Sequence, residues 1–165
     1  MSLAEFGIPR ENEKRRDGGC AVIYDPKSHL FAVGKHDEGE LLRLFSGGVE
    51  DGEDMEEGTL REVTEESGLH DFAKTIPLGT VVAHYHNVLK DVNRVAHVTG
   101  YLVILRSRDT WATALEDHEK FSLAWRTADD IHENWKSQSV THDYDHWIHF
   151  LEQSLEKLEE IGYTL

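Results

Sequence analysis

Cysteine is nearly absent: Cys20 is the single thiol in 165 residues. That excludes an internal disulfide and a thiolate zinc site, and it matches a reducing, cytoplasmic setting. Basic residues are scarce as well. Seventeen Lys and Arg stand against 32 Asp and Glu, a formal charge of −15 with histidine neutral. No Lys/Arg run is long enough to grip extended nucleic acid through counterion release, so that class of partner is not expected. Apolar runs of about 18 residues, the length needed to cross a bilayer, do not occur, and the opening "MSLAEFGIPRENEKRR" has no apolar core of signal-peptide length. Neither export nor a membrane partner is expected.

What the chain does have is a recurring supply of aromatic and β-branched residues through its middle, which argues against disorder and for one globular domain. Residues 1–17 read as a polar, irregular arm with at most one early strand, and residues 18–165 as the domain. Cys20 to Tyr24 and Leu30 to Val33 flank "DPKSH", turn chemistry between two short apolar runs, hence a hairpin. "LLRLFSGG" reads as a third strand. "IPLGTVVAHYHNV", "RVAHVTGYLVIL" and "FSLAW" carry strand composition, the second being long and central. Asp54 followed by Glu57 caps a helix running from 55 to Ser67, with Gly68 suited to the left-handed residue beyond its end. Thr127 caps a shorter helix. Tyr144, Trp147, Ile148, Leu151, Leu155 and Leu158 fall at helical spacing within an amphipathic tail over 141–162, which docks on the body or, less simply, forms a dimer seam. Strands mixed with two or three helices give an α/β (α+β) sandwich.

The densest signal is "GGVEDGEDMEEGTLREVTEESGL", Gly47 to Leu69, with nine carboxylates and one basic side chain, Arg61. Like charges four apart weaken a helix, so the concentration needs a reason. On a helix, Glu62, Glu65 and Glu66 share one face, while Leu60, Val63 and Ser67 turn toward a sheet. Three carboxylates so placed repel one another unless they are protonated or neutralised, which points to a hard divalent cation with oxygen ligands, magnesium or manganese. Zinc fits less well because no His or Cys joins the cluster at ligand spacing. Such an ion is commonly shared with substrate phosphates.

The same stretch resembles the signature of the Nudix hydrolases. Gly47, Glu53, Arg61, Glu62, Val63, Glu65, Glu66, Gly68 and Leu69 fill it with no gap and no mismatch. Seven of these positions demand one residue type, and at roughly 7% each a chance match is on the order of 10⁻⁸ per starting point. The resemblance implies a loop-helix-loop set in a mixed β-sheet between helices, with hydrolysis of a pyrophosphate bond in a nucleoside diphosphate linked to another moiety. It implies that Glu62, Glu65 and Glu66, joined by the Ser46 backbone carbonyl, hold Mg²⁺ or Mn²⁺, with Glu62 or Glu65 as the base, Glu62 preferred. Gly47, Glu53, Arg61 and Gly68 take structural roles, Arg61 pairing with Glu53. Gly58 and Thr59 stand where relatives often carry two alanines. Outside the signature the resemblance runs from about 19 to 131. "DHEKFSLAWRTADDI" looks like the family's acidic loop, Trp-bearing strand and short helix, making Glu116, Asp117 and Glu119 candidates for a further ligand or base, with Glu119 preferred.

Weaker candidates surround this core. Arg43, Arg94 and Tyr85 are placed to meet phosphate or base from neighbouring strands, though packing is the commoner role for each. His84, His86 and His97 are more simply satisfied polar side chains than ligands, and Cys20 a core residue. The partner expected is a small nucleotide diphosphate derivative, with a homodimer conceivable. The alternative is a Nudix-fold sensor or interaction module that binds a nucleotide without cleaving it; the full set of carboxylates argues against it.

Overall fold

The structure, a computed structural model, describes residues 2–163 and 165. Nine strands form one mixed sheet: β1 (Glu5–Phe6), β2 (Lys14–Arg15), β3 (Gly18–Asp25), β4 (Leu30–His36), β5 (Leu42–Arg43), β6 (Phe45–Gly48), β7 (Phe72–Asn87), β8 (Val92–Leu105) and β9 (Phe121–Arg126). Three helices complete it: α1 (Met55–Ser67), α2 (Ala128–Gln138) and α3 (Asp145–Glu160). The sheet runs β1-β7-β8-β3-β4-β5, with β2 beside β8, β6 beside β3 and β9 beside β4. As its composition predicts, β8 is central, parallel to β3 and antiparallel to β7.

Alternation along β3 sets the two faces of the sandwich. Cys20, Val22 and Tyr24 join a core with Trp135 of α2 and Phe150, Leu151 and Leu158 of α3. Ala21 and Ile23 join the opposite core with Val63 of α1 and Leu69. The mixed sheet thus lies between helices. The β3–β4 hairpin forms where Asp-Pro predicts it, and the Asp25 carboxylate accepts from the Lys27 N–H and the Ser28 hydroxyl at 3.0 and 2.8 Å. α3 docks tightly: a Cβ on Gly100 of β8 would stand 2.4 Å from Phe150 Cδ1. The Trp135 indole N–H donates to the Leu42 carbonyl at 2.8 Å, tying α2 to β5.

Three features differ from the sequence reading. The strand expected over "LLRLFSGG" breaks at Leu44, because β5 pairs with β4 while β6 pairs with β3. The C-terminal helix begins at Asp145 rather than 141: a 3-10 turn at Ser139–Thr141 precedes it, and His142 sits in the left-handed region at φ 60°. The arm is more ordered than expected, with β1 parallel to β7 and β2 parallel to β8.

That arm is fastened through His84, which is 6% exposed and bonded to Glu5 at 2.5 Å and to Glu13 at 2.6 Å. Burial alone would lower the His84 pKa, but hydrogen bonds to Glu13 and Glu5 and their charges win, and it is raised. A folded-state pKa above the unfolded value of ~6.5 means that this stabilisation is full below that pH and lost as pH rises through the folded pKa. Residues 5–15 are therefore expected to exchange amide hydrogens faster at pH 9 than at pH 6, beyond the intrinsic rate change, and His84→Ala is expected to remove the difference.

Candidate active site

The helix α1 starts and stops where its ends require. The Asp54 carboxylate accepts from the N–H groups of Glu56 and Glu57, at 3.2 and 3.3 Å. Gly68 is left-handed at φ 82° and donates its N–H to the Thr64 carbonyl at 2.8 Å. The back of α1 lies so close to the sheet that a Cβ on Gly19 would stand 1.9 Å from Thr59 Oγ1. Gly58 has a similar reason to be small, since a Cβ there would come within 2.8 Å of Glu53 Oε1.

Arg61 organises the signature loop. Its Nε donates to Glu53 Oε2 at 2.8 Å, and its two terminal nitrogens reach Glu53 Oε1 at 3.1 Å, the Gly48 carbonyl at 3.3 Å, and Glu62 and Glu65 at 3.1 Å each. The Arg61 pKa is raised, chiefly by the hydrogen bond to Glu53. The anticipated Arg61–Glu53 pair is present, and Arg61 also bridges two of the three clustered carboxylates. Gly47 must lack a side chain, because a Cβ would sit 2.3 Å from Glu62 Cδ.

The three carboxylates that share one face of α1 do not share one environment: Glu62 and Glu66 border a cleft, whereas Glu65, its side chain 40% exposed, does not. Glu66 is 3% exposed; its carboxylate accepts from the Ser46 N–H at 2.9 Å, and the Arg43 guanidinium stands 3.6 Å away. Burial, with Glu119 opposite, pushes the Glu66 pKa up to about 9 despite Arg43 and the Ser46 N–H. Glu62 is also raised, by burial first, while Glu65 is the most exposed of the three. The wheel gives the angular grouping correctly. It misses that β6 and the 116–119 loop lie over Glu62 and Glu66 and make these two part of the wall of a cleft.

That cleft, about 370 Å³, is bordered by Glu62, Glu66, Glu119, Arg43 and Ser46 at one end and by Tyr85, Tyr144, His146 and Trp147 at the other. Glu119 is brought to the site as anticipated. Its N–H bonds the Glu116 carbonyl at 2.9 Å and its carboxylate accepts from the Glu116 N–H at 3.0 Å. Glu116, His118 and Glu119 present ligand atoms within 4.8 Å of one another, whereas Asp117 is outside that group. Arg43 and Tyr85 border the cleft. Arg94 does not, and its Nε is buried without a hydrogen-bond partner among the described residues. Arg94 pairs in register with Tyr85, but adjacency along the strands does not bring its side chain to the cavity. His84, His86 and His97 do not converge: they bond Glu5 and Glu13, Asn93, and Arg15 respectively. Cys20 is buried, its thiol pushed up to about 12 by burial, and forms part of the cleft floor.

Sequence reasoning missed Arg16, which borders the cleft because β2 lays the arm along β8. It also missed His146, since a polar residue inside an amphipathic helix gives no sign of facing a cavity. Trp147 docks α3 on Trp135, with ring centroids 5.5 Å apart, and additionally walls the cleft.

The donor set suits a hard divalent cation. Glu62, Glu66 and Glu119 border the same cleft, Glu65 does not, and burial holds the Glu66 carboxyl far above its ordinary range, so its charged form is disfavoured unless a cation neutralises it.

Comparison with known proteins agrees with this geometry. No curated protein matches the sequence. Among solved structures, the NUDIX domain of NrtR from Shewanella oneidensis, determined with ADP ribose, is 16% identical, with 92% of this chain and 93% of that one covered at a TM-score of 0.61. An Ap4A hydrolase from C. elegans is 18% identical, with 86% and 96% covered and a TM-score of 0.59. A NUDIX hydrolase from Nitrosomonas europaea is 17% identical, with 90% and 98% covered at 0.51. At these identities the likeness establishes the fold. The NUDIX domain family model matches residues 14–149, most of the chain and all of the signature, so the chain belongs to the Nudix hydrolase family.

Proposed function

We propose that the protein is a Mg²⁺- or Mn²⁺-dependent hydrolase that cleaves a pyrophosphate bond in a nucleoside diphosphate linked to another moiety. The observation carrying this reading is the convergence of Glu62, Glu66 and Glu119 with Arg43 and Arg16 around one end of a cleft deep enough for a nucleotide. The S. oneidensis domain binding ADP ribose and the C. elegans enzyme named for Ap4A are consistent with that substrate class.

Each residue then has a role. Glu62, Glu65 and Glu66 would hold the ion, with the Ser46 carbonyl and Glu119 completing its shell. Bound there, a divalent ion polarises a phosphoryl oxygen and lowers the pKa of water. Arg61 braces Glu62 and Glu65 at fixed separation through bonds of 3.1 Å to each. Glu62, whose carboxyl burial raises, is placed to accept the proton released as water attacks phosphorus. Arg43, its guanidinium 4.5 Å from the Phe121 ring centroid, and Arg16 face the diphosphate. Positive charge held in place there stabilises the spreading negative charge of the transition state without reorganising.

The test is product release from a panel of nucleotide sugars, nucleoside triphosphates and dinucleoside polyphosphates, with Mg²⁺, with Mn²⁺ and with excess chelator. Turnover of at least one class with metal, and a loss of at least ~10³-fold on chelation, is expected. Tight nucleotide binding with no turnover under either ion would instead establish a sensor.

A further inference from the structure

The far half of the cleft has no part in gripping a diphosphate. The cavity crosses the sheet from β6 over β3 and β8 to β7: Gly19, Cys20, Ala96 and Val98 form its floor, and its far wall is Tyr85 with the first turn of α3. Three strand spacings of about 4.8 Å place that wall roughly 14 Å from the signature loop. This leaves room for a pyrophosphate, a pentose and a ring laid end to end.

That wall is aromatic. The Tyr144 and Trp147 rings lie 5.2 Å apart at 30°, and those of Tyr85 and His146 6.0 Å apart at 25°. Within it, His146 is 6% exposed. It borders the cavity, yet among the described residues no hydrogen bond reaches its ring. Burial holds its pKa down at about 4, so the ring is neutral at pH 7 and offers one donor and one acceptor. The adjacent Asp143 is already engaged, accepting from Arg10 at 2.7 Å and from the His86 N–H at 3.2 Å. With no protein partner among the described residues, the donor and the acceptor of this ring are open to whatever occupies the cavity.

We infer that His146 is a specificity-determining residue that hydrogen-bonds the edge of a flat, uncharged heteroaromatic ring, a nucleobase, lying against the aromatic wall of α3. The inference rests on the nucleotide reading of the site above. A further phosphate is a poor fit, because the ring beside it carries no charge and Asp143 is next to it. A sugar alone offers no flat face for the aromatic rings, whereas every base does. Substrate choice in this protein is then set by α3, while the signature loop handles the diphosphate common to all candidates.

The experiment compares binding of the four common nucleoside 5′-monophosphates and of ribose 5-phosphate, by calorimetry with magnesium present. Wild type is expected to bind at least one monophosphate tenfold or more tighter than ribose 5-phosphate. His146→Phe, which keeps an aromatic ring and removes both hydrogen-bonding atoms, is expected to cut that preference at least fivefold, leave ribose 5-phosphate within twofold, and be partly rescued by His146→Gln. In the unmutated protein, the imidazole ¹⁵N resonances of His146 are expected to shift with the preferred monophosphate and not with ribose 5-phosphate, a readout independent of the variants' folding. Absence of any preference in wild type, equal loss for both ligand types, or unmoved imidazole resonances overturns the inference. Turnover without base preference removes His146 and leaves the hydrolase reading standing; base preference without turnover does the reverse.

Discussion

Glu66→Gln is expected to lose at least ~10³-fold in turnover at saturating magnesium, about 4 kcal/mol of transition-state stabilisation, while making the metal-free protein more stable. Both halves follow from one geometry. Glu66 is 3% exposed, accepts from the Ser46 N–H, and faces Glu119 as well as Arg43. Its carboxyl is raised to about 9 by burial and by Glu119. A carboxyl with a folded pKa above its unfolded value contributes stability that is full below the unfolded pKa, near 4.5, and lost as pH rises through the folded one. At pH 7, about 2.5 pH units above the unfolded value, the metal-free fold therefore carries a cost on the order of 3 kcal/mol that a neutral amide does not. Gln still accepts from Ser46 and can donate to Glu119. Thermal unfolding in chelator should show the variant above wild type at pH 7 to 8 and level with it near pH 4.5. A variant that is both inactive and less stable at pH 7 would mean that Glu66 serves packing.

Gly47→Ala is expected to cost on the order of 10²-fold in kcat without unfolding the protein. The added Cβ would stand 2.3 Å from Glu62 Cδ and 2.7 Å from its Oε1, so the carboxylate must leave its place. It can do so at small cost in stability, since its side chain is 20% exposed and Arg61 retains Glu53. Gly48→Ala is the matched comparison: its nearest neighbour would be Arg16 at 3.6 Å, an ordinary contact, and its activity loss should be at least tenfold smaller. Equal losses at both positions would place the damage in the β6 backbone rather than in Glu62.

Much of this architecture is legible in the residues because it is local. Helix α1 begins at its Asp54 cap and ends at left-handed Gly68, and the β3–β4 turn follows from Asp25-Pro26. The carboxylate cluster is equally local, being a spacing within one helix. What sequence does not reveal is non-local. Glu66 is buried because β6 and the loop carrying Glu119 close over it. Arg16 reaches the cleft because Lys14 and Arg15 pair with Arg94 and Val95, leaving the next residue at the cavity edge. Arg94, a candidate to meet phosphate or base for which packing is the commoner role, does not border the cavity. The wheel for α3 separates an apolar face from a charged one, but His146 and Trp147 acquire meaning only where α3 starts, at the rim of the cleft.

The most direct test of the account is calorimetric titration of the metal-free protein with Mg²⁺ and Mn²⁺, paired with thermal unfolding over the same concentrations. Saturable uptake of at least one ion, an unfolding midpoint that climbs with ion concentration as linkage requires, and loss of both in Glu66→Gln are the predicted results. A flat titration with an unmoved midpoint for both ions would contradict the claim that these buried carboxylates are held together to receive a divalent cation.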